Sequence, residues 1–137
     1  SHLIDTLRKA GVPLAGFTAT ETARIESCIP AFDPDLIPGL SPAEADLDLL
    51  LGIPSGRDAR MLAAVLLEGQ RLPATGASAL TTGEPAGEVR SAAWSPALGA
   101  VIALALLEAQ KALPGAAVDL DGIPGTIVAK PFYRRRG

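Results

Sequence analysis

Few residues in this chain can do chemistry, and their scarcity narrows the possibilities. Cys28 is the sole cysteine and His2 the sole histidine, so neither an internal disulfide nor a Cys/His metal centre can be assembled. A reactive thiolate needs a neighbouring base or cation. With no histidine to activate it, Cys28 is expected to be a small apolar group buried near a helix end. Asp33, Asp35, Asp46 and Asp48 offer carboxylates, but their spacing matches no calcium loop, and they read as loop and helix-surface charges. Arg57, at the start of a short helix, has two readings, an anion ligand or a solvated charge. Trp94, the one tryptophan, is expected in a core rather than as a stacking platform. Arg134–Arg136 form a basic run that reads as a solvated tail. Taken alone, Glu26 is a surface or salt-bridged helix carboxylate with Arg24 close by.

The bulk properties exclude several classes. A length of 137 residues, 48% of them apolar, is enough for one core, or one domain plus part of another. The net charge of −3 is spread along the chain, which argues against a nucleic-acid surface, since that requires a clustered basic face. No run approaches the roughly 20 apolar residues a bilayer demands; the longest, Met61–Leu67 and Val101–Leu107, are ended by Glu68 and Glu108. No signal-peptide pattern is visible, and the Ser1-His2 start resembles a processed end. The expectation is a soluble, cytoplasmic protein in a reducing compartment.

The elements that must position these residues fall into two textures. Leu3, Ile4, Leu7 and Ala10 share one helical face, stopped by Gly11 and Pro13. Thr18-Ala19-Thr20-Glu21 has the form of a capping box, predicting a helix from about Ala19 to Cys28. Ser41-Pro42-Ala43-Glu44 repeats the signal with proline at the first helical position, and Ser55-Gly56-Arg57-Asp58 is a weaker third example. Between the second and third helices, Pro30, Pro34 and Pro38 make Ile29–Leu40 a rigid, turn-rich connector. From Met61 onward, short apolar runs alternate with Gly, Pro, Thr and Ser clusters. Met61–Glu68, Gly87–Trp94, Val101–Glu108, Ala116–Asp121 and Gly125–Phe132 are the predicted strands, arranged as an antiparallel barrel or sandwich. Val101–Lys111 fits a helix as well as a strand, and is read as a strand continuing into a helical turn near Ala109. Residues 1–60 therefore form a helical part and 61–137 a β part: an α+β chain.

Four separated segments, in order, resemble the glycine cleavage T-protein superfamily. Arg24-Ile25-Glu26-Ser27-Cys28-Ile29-Pro30 is similar to that family's R-[IL]-E-x-G-x-P stretch. Ser41-Pro42-Ala43-Glu44-Ala45-Asp46-Leu47 is similar to the P-x-E-x-x-L helix after it. Gly87-Glu88-Val89-Arg90-Ser91-Ala92-Ala93-Trp94-Ser95-Pro96-Ala97-Leu98-Gly99 resembles G-x-V-T-S-x-x-x-S-P-x-L-G, and Pro131-Phe132 resembles the P-F that closes a C-terminal barrel. The resemblance implies N-terminal helices that end a folate-binding core, followed by a C-terminal antiparallel β-barrel. It implies tetrahydrofolate as cofactor, with the Glu26 carboxylate paired to two donors on the pterin ring. The segment Ser91–Gly99 looks closest to the folate-binding branch linked to iron–sulfur cluster maintenance and tRNA modification.

The chain also departs from the family pattern. The catalytic aspartate of the family's aminomethyltransferases lies in an N-terminal region that this sequence does not contain. The K-G-C-Y-x-G-Q-E motif of the iron–sulfur branch falls on Leu51–Asp58, where Gly52 and Gly56 match but Leu51 replaces lysine and Ile53 replaces cysteine. Arg90 stands where threonine is usual, and Cys28 where glycine is usual. No catalytic residue and no metal ligand can be assigned, so whether the chain is an enzyme is left open. Three readings follow: a fragment or degenerate member of the folate-binding iron–sulfur branch, the C-terminal half of a tetrahydrofolate-dependent aminomethyltransferase, or a non-enzymatic barrel interaction module. Folate is the expected small-molecule partner, with no membrane and no clear nucleic acid. A homo-oligomer could form through any apolar face a missing core leaves bare.

Overall fold

The computed structural model describes residues 1–52 and 59–133. The Ser55–Asp58 helix signal, Arg57, Ile53 and Arg134–Arg136 lie outside those residues. The architecture is α+β. Helices α1 (His2–Lys9), α2 (Phe17–Glu26) and a single turn, α3 (Asp48–Leu51), precede six strands: β1 (Arg60–Leu67), β2 (Ser78–Thr81), β3 (Glu84–Ser95), β4 (Ala100–Glu108), β5 (Ala117–Leu120) and β6 (Ile123–Val128). The strands close into an antiparallel barrel in the order β1-β4-β3-β2-β5-β6, with β6 returning to β1.

Strand alternation divides the sheet residues between two cores. Ala63, Val65 and Leu67 of β1 face the interior with Val101, Ala103, Ala105 and Leu107 of β4. Their neighbours Leu62, Ile102 and Leu104 point outward and pack with Ala93 under Ile25 of α2. Both faces of β4 are thus buried, which is why Val101–Leu107 is apolar without interruption and looked helical. It is a strand, and the expected helical turn follows as a 3₁₀ segment at Ala109–Lys111.

Two tight hairpins set the register. Thr82-Gly83 joins β2 to β3 and Asp121-Gly122 joins β5 to β6. All four residues have φ between 52° and 80°, the pattern of a type I′ turn. The Asp121-Gly122 turn starts β6 at Ile123, earlier than the predicted Gly125. Strand β2 and the first residues of β3 were not anticipated. Ser78–Thr81 is short, and Pro85 with Gly87 masks the strand pattern that follows. At Gly87 the neighbouring strand passes so near that a Cβ would stand 1.9 Å from the Leu106 carbonyl oxygen.

The helical part departs from its cap signals. Helix α2 begins at Phe17 with Gly16 as N-cap, so Thr18 lies inside the helix and its capping box does not form; Thr20 Oγ1 instead donates back to the Gly16 carbonyl. The Ser41 signal does form its reciprocal pair, Glu44 N–H to Ser41 Oγ at 3.1 Å and Ser41 N–H to Glu44 Oε2 at 2.9 Å. It yields only one turn, because Asp46 adopts φ 62° and Glu44 is drawn to the barrel. The Glu44 carbonyl accepts from Leu62 N–H at 2.8 Å and its carboxylate pairs with Arg60 at 2.7 Å. Helix α1 buries nothing: Leu3, Ile4 and Leu7 are all exposed.

Candidate functional site

The end of α2 is set by a Schellman motif. Ile29 N–H reaches the Arg24 carbonyl (2.9 Å) and Cys28 N–H the Ile25 carbonyl (2.8 Å), with Cys28 at φ 57°. That left-handed position explains why the family pattern carries glycine there. The Cys28 side chain is half-buried against the outer core. Burial pushes its thiol up, while the Phe132 N–H offers it a hydrogen bond. An up-shifted thiol is poorly nucleophilic, which agrees with the structural role expected for Cys28.

The three residues Arg24-Ile25-Glu26 point three ways. Ile25 is 1% exposed and plugs the outer core. Arg24 turns to the connector, where it pairs with Glu21 (2.7 Å) and Asp35 (2.6 Å) and donates to the Ile29 carbonyl (3.2 Å). This hydrogen-bonded guanidinium holds the Glu21 carboxyl below its ordinary value. Asp35, expected as a surface charge, is fully buried; its Oδ2 accepts from both Arg24 and Ala31 N–H (2.8 Å). A connector with three prolines has little secondary structure of its own to bond its amides, so a buried carboxylate serves instead. Asp33 stays exposed, and Asp46 is a surface partner of Lys130 at 2.7 Å. Among the described residues, no group of three or more His, Cys, Asp or Glu side chains could hold a metal ion.

Glu26, freed from Arg24, crosses to the barrel. Its Oε1 accepts from Ser95 Oγ, and among the described residues nothing donates to Oε2. Ser95 is fully buried at the end of β3; its hydroxyl also accepts Leu98 N–H at 3.2 Å, and its carbonyl accepts Gly99 N–H at 2.8 Å. The Ser95–Gly99 stretch of the family pattern is therefore the turn that brings β3 against α2. Beside Glu26 opens a groove of about 810 Å³, walled by Phe17, Thr18, Thr22 and Ala23 of α2, by Ala92, Trp94 and Pro96 of β3 and its turn, and by Leu72. Trp94 is 39% exposed and forms this wall. Its register partner Val101 faces the interior, but Trp94 sits beside the turn, where the barrel no longer covers it. The expectation of a core tryptophan is corrected. Glu26 and Trp94 meet at one groove; Cys28, Asp35 and Asp46 do not reach it.

Sequence reasoning singled out neither Ser95 nor the role of Arg90. The register of β3 against β4 slips between Val89 and Ser91, making Arg90 the extra residue of a bulge. Its guanidinium is thereby aimed at the connector, donating to the Pro34 carbonyl and pairing with Glu88 at 2.9 Å. The change from threonine to arginine was visible in the sequence, but its target could not be.

The groove passes a simple fit test for a flat heteroaromatic ligand. It is concave and mostly apolar, has Trp94 on its wall, and carries one carboxylate oxygen with no donor among the described residues. Fold and groove together define a helix-flanked, closed antiparallel β-barrel with an apolar groove at its seam. Residues 60–134 match the model of the glycine cleavage T-protein C-terminal barrel domain, and the chain belongs to that family. Similar curated proteins include the aminomethyltransferases of Streptomyces avermitilis (34% identical, covering 98% of this chain and 43% of the relative) and Prochlorococcus marinus (34%, covering 94% and 40%). The crystal structure of glycine cleavage system aminomethyltransferase T from Bartonella henselae shares the fold with a TM-score of 0.76 at 20% identity, over 98% of this chain and 44% of that one. The chain thus spans less than half the length of the relatives it matches. Among the described residues, no helix is long and apolar enough to cross a membrane.

Proposed function

We propose that this chain forms the C-terminal half of a folate-binding protein of the T-protein family, and that Glu26 is the carboxylate that pairs with the pterin. The single observation that carries the reading is the half-satisfied Glu26 carboxylate on the wall of an apolar groove. A pterin offers adjacent N–H donors on one edge and a flat apolar face, which suit a carboxylate and an exposed indole respectively. When bound, tetrahydrofolate supplies the nitrogens that carry a one-carbon unit; this chain's own residues bind and orient it.

Two branches of the family fit. The Ser91–Gly99 segment favours the iron–sulfur maintenance and tRNA-modification branch, and the names of the similar curated proteins favour aminomethyl transfer. Glycine-cleavage activity of the complete reading frame separates them, since only the second reading requires it. The test of folate binding itself is calorimetric titration with tetrahydrofolate under anaerobic conditions. Glu26→Gln is expected to weaken binding at least tenfold, and an unchanged affinity removes Glu26 from the site.

A further inference from the structure

Ser95 has one proton and two lone pairs. The Leu98 N–H occupies a lone pair at 3.2 Å, and a carboxylate can only accept, so the hydroxyl proton goes to Glu26 Oε1. Ser95 is fully buried and part of the backbone turn. Its Oγ is therefore a fixed point, whereas a glutamate on an exposed helix end would sample several rotamers. We infer that Ser95 is a positioning residue: its hydroxyl locks the Glu26 carboxylate in one orientation and leaves Oε2 as the open acceptor on the groove wall.

This inference rests on the reading of the groove as a folate site and deepens it. A carboxylate that is already ordered loses less freedom when a ligand engages it, so the turn contributes to affinity without touching the ligand. The turn that bonds the barrel to the end of α2 is thereby also the element that prepares the site. Trp94, the residue before Ser95, also lines the groove. Two consecutive strand residues thus contribute in different ways, one by contact and the other through Glu26.

The test is a double-mutant cycle in the protein of the complete reading frame, with 5-formyltetrahydrofolate as the probe. Ser95→Ala is expected to weaken binding about tenfold and Glu26→Gln by more; the double variant is expected to bind no worse than Glu26→Gln alone, because the serine acts only through the glutamate. Ser95→Cys, close in size but a weak donor, is expected to fall on the same side as Ser95→Ala, which guards against a packing defect. Loss of affinity in Glu26→Gln with none in Ser95→Ala overturns the positioning role and leaves the folate reading standing. Multiplying losses in the double variant also overturn it. If wild type does not bind the probe, the folate reading fails, and the positioning role is judged by NMR scalar couplings of the Glu26 side chain. A single rotamer that becomes averaged in Ser95→Ala supports it; couplings that do not change overturn it.

Discussion

The barrel interior and the seam beneath α2 are held together by different means. Inside the barrel the core cluster is apolar: Val65, Leu67, Val89, Val101, Leu107, Leu120 and Ile127 pack with alanines. At the seam the apolar patch is small, with Ile25 over Leu62, Ala93, Ile102 and Leu104. The rest is a set of directed polar bonds: Arg24 to Asp35, Arg90 to Pro34, Glu44 to Arg60 and Glu26 to Ser95. Apolar packing tolerates swaps that conserve volume, whereas directed bonds fail when one atom is lost. A ligand site fits the seam, where polar groups lie beside an apolar groove and can be shared with a small molecule. Helix α1 sharpens the contrast. It has a good apolar face, and among the described residues it makes no directed bond to the barrel and buries no side chain.

The largest effect should come from the barrel, by closing the gap between two strands. Gly87→Ala places a methyl group inside the contact radius of the Leu106 carbonyl, and should cost about 3 kcal/mol or more in urea denaturation, with loss of the whole barrel. Gly83→Ala is the control. Its φ is 80° but nothing lies near the added methyl, so only the left-handed backbone cost of about 1 kcal/mol should appear. Equal effects at the two sites would show that the close approach at Gly87 has been overrated.

At the seam the expected effect is smaller and local. Arg24→Met removes the cation from a fully buried carboxylate. Ala31 N–H still donates to the carboxylate, so the expected cost is that of one lost charge-assisted bond, about 2 kcal/mol. Amide exchange should accelerate in α2 and the connector while β1 and β4 keep their protection. Adding Asp35→Leu should recover most of the loss. Uniform acceleration across the barrel amides would erase the distinction between the two regions.

The same distinction decides what the sequence reveals. Strand alternation and turn chemistry act between near neighbours, so β1, β4 and β5 could be read from apolar runs and from the Val118/Leu120 alternation. Strand β2 escaped because four residues carry too little pattern, although Thr82-Gly83 beside it was a usable hairpin signal. The seam was legible only through the family resemblance. Arg24 and Asp35 are eleven residues apart and Glu26 and Ser95 sixty-nine, and no periodicity reports pairs at such separations. The resemblance marked Glu26 but gave no reason for Ser95, which is a fold-dependent partner. The capping motif at Thr18 misled because Gly16 already supplied a workable helix start, and local propensity yields to such alternatives.

The smallest effect tests whether a seam bond has the pH signature of an ion pair. Glu44 is held below its ordinary value of 4.5, first by the Arg60 hydrogen bond and then by Ser41 N–H. A carboxyl whose folded value is depressed binds fewer protons folded than unfolded between the two values. Its contribution is therefore complete above about pH 4.5 and disappears as pH falls through the folded value. Arg60 is partly solvent-exposed, so screening limits the contribution to about 1 kcal/mol. Glu44→Gln should accordingly lower the urea midpoint at pH 7 and at pH 5 by the same amount, and the gap should narrow progressively as pH falls below about 4.5. Other depressed carboxyls, Glu21 and Asp121 among them, titrate identically in both proteins and cancel in the difference. A gap that persists undiminished at pH 3 would mean that Glu44 supports the seam by shape, as a barrel residue does, and not by charge.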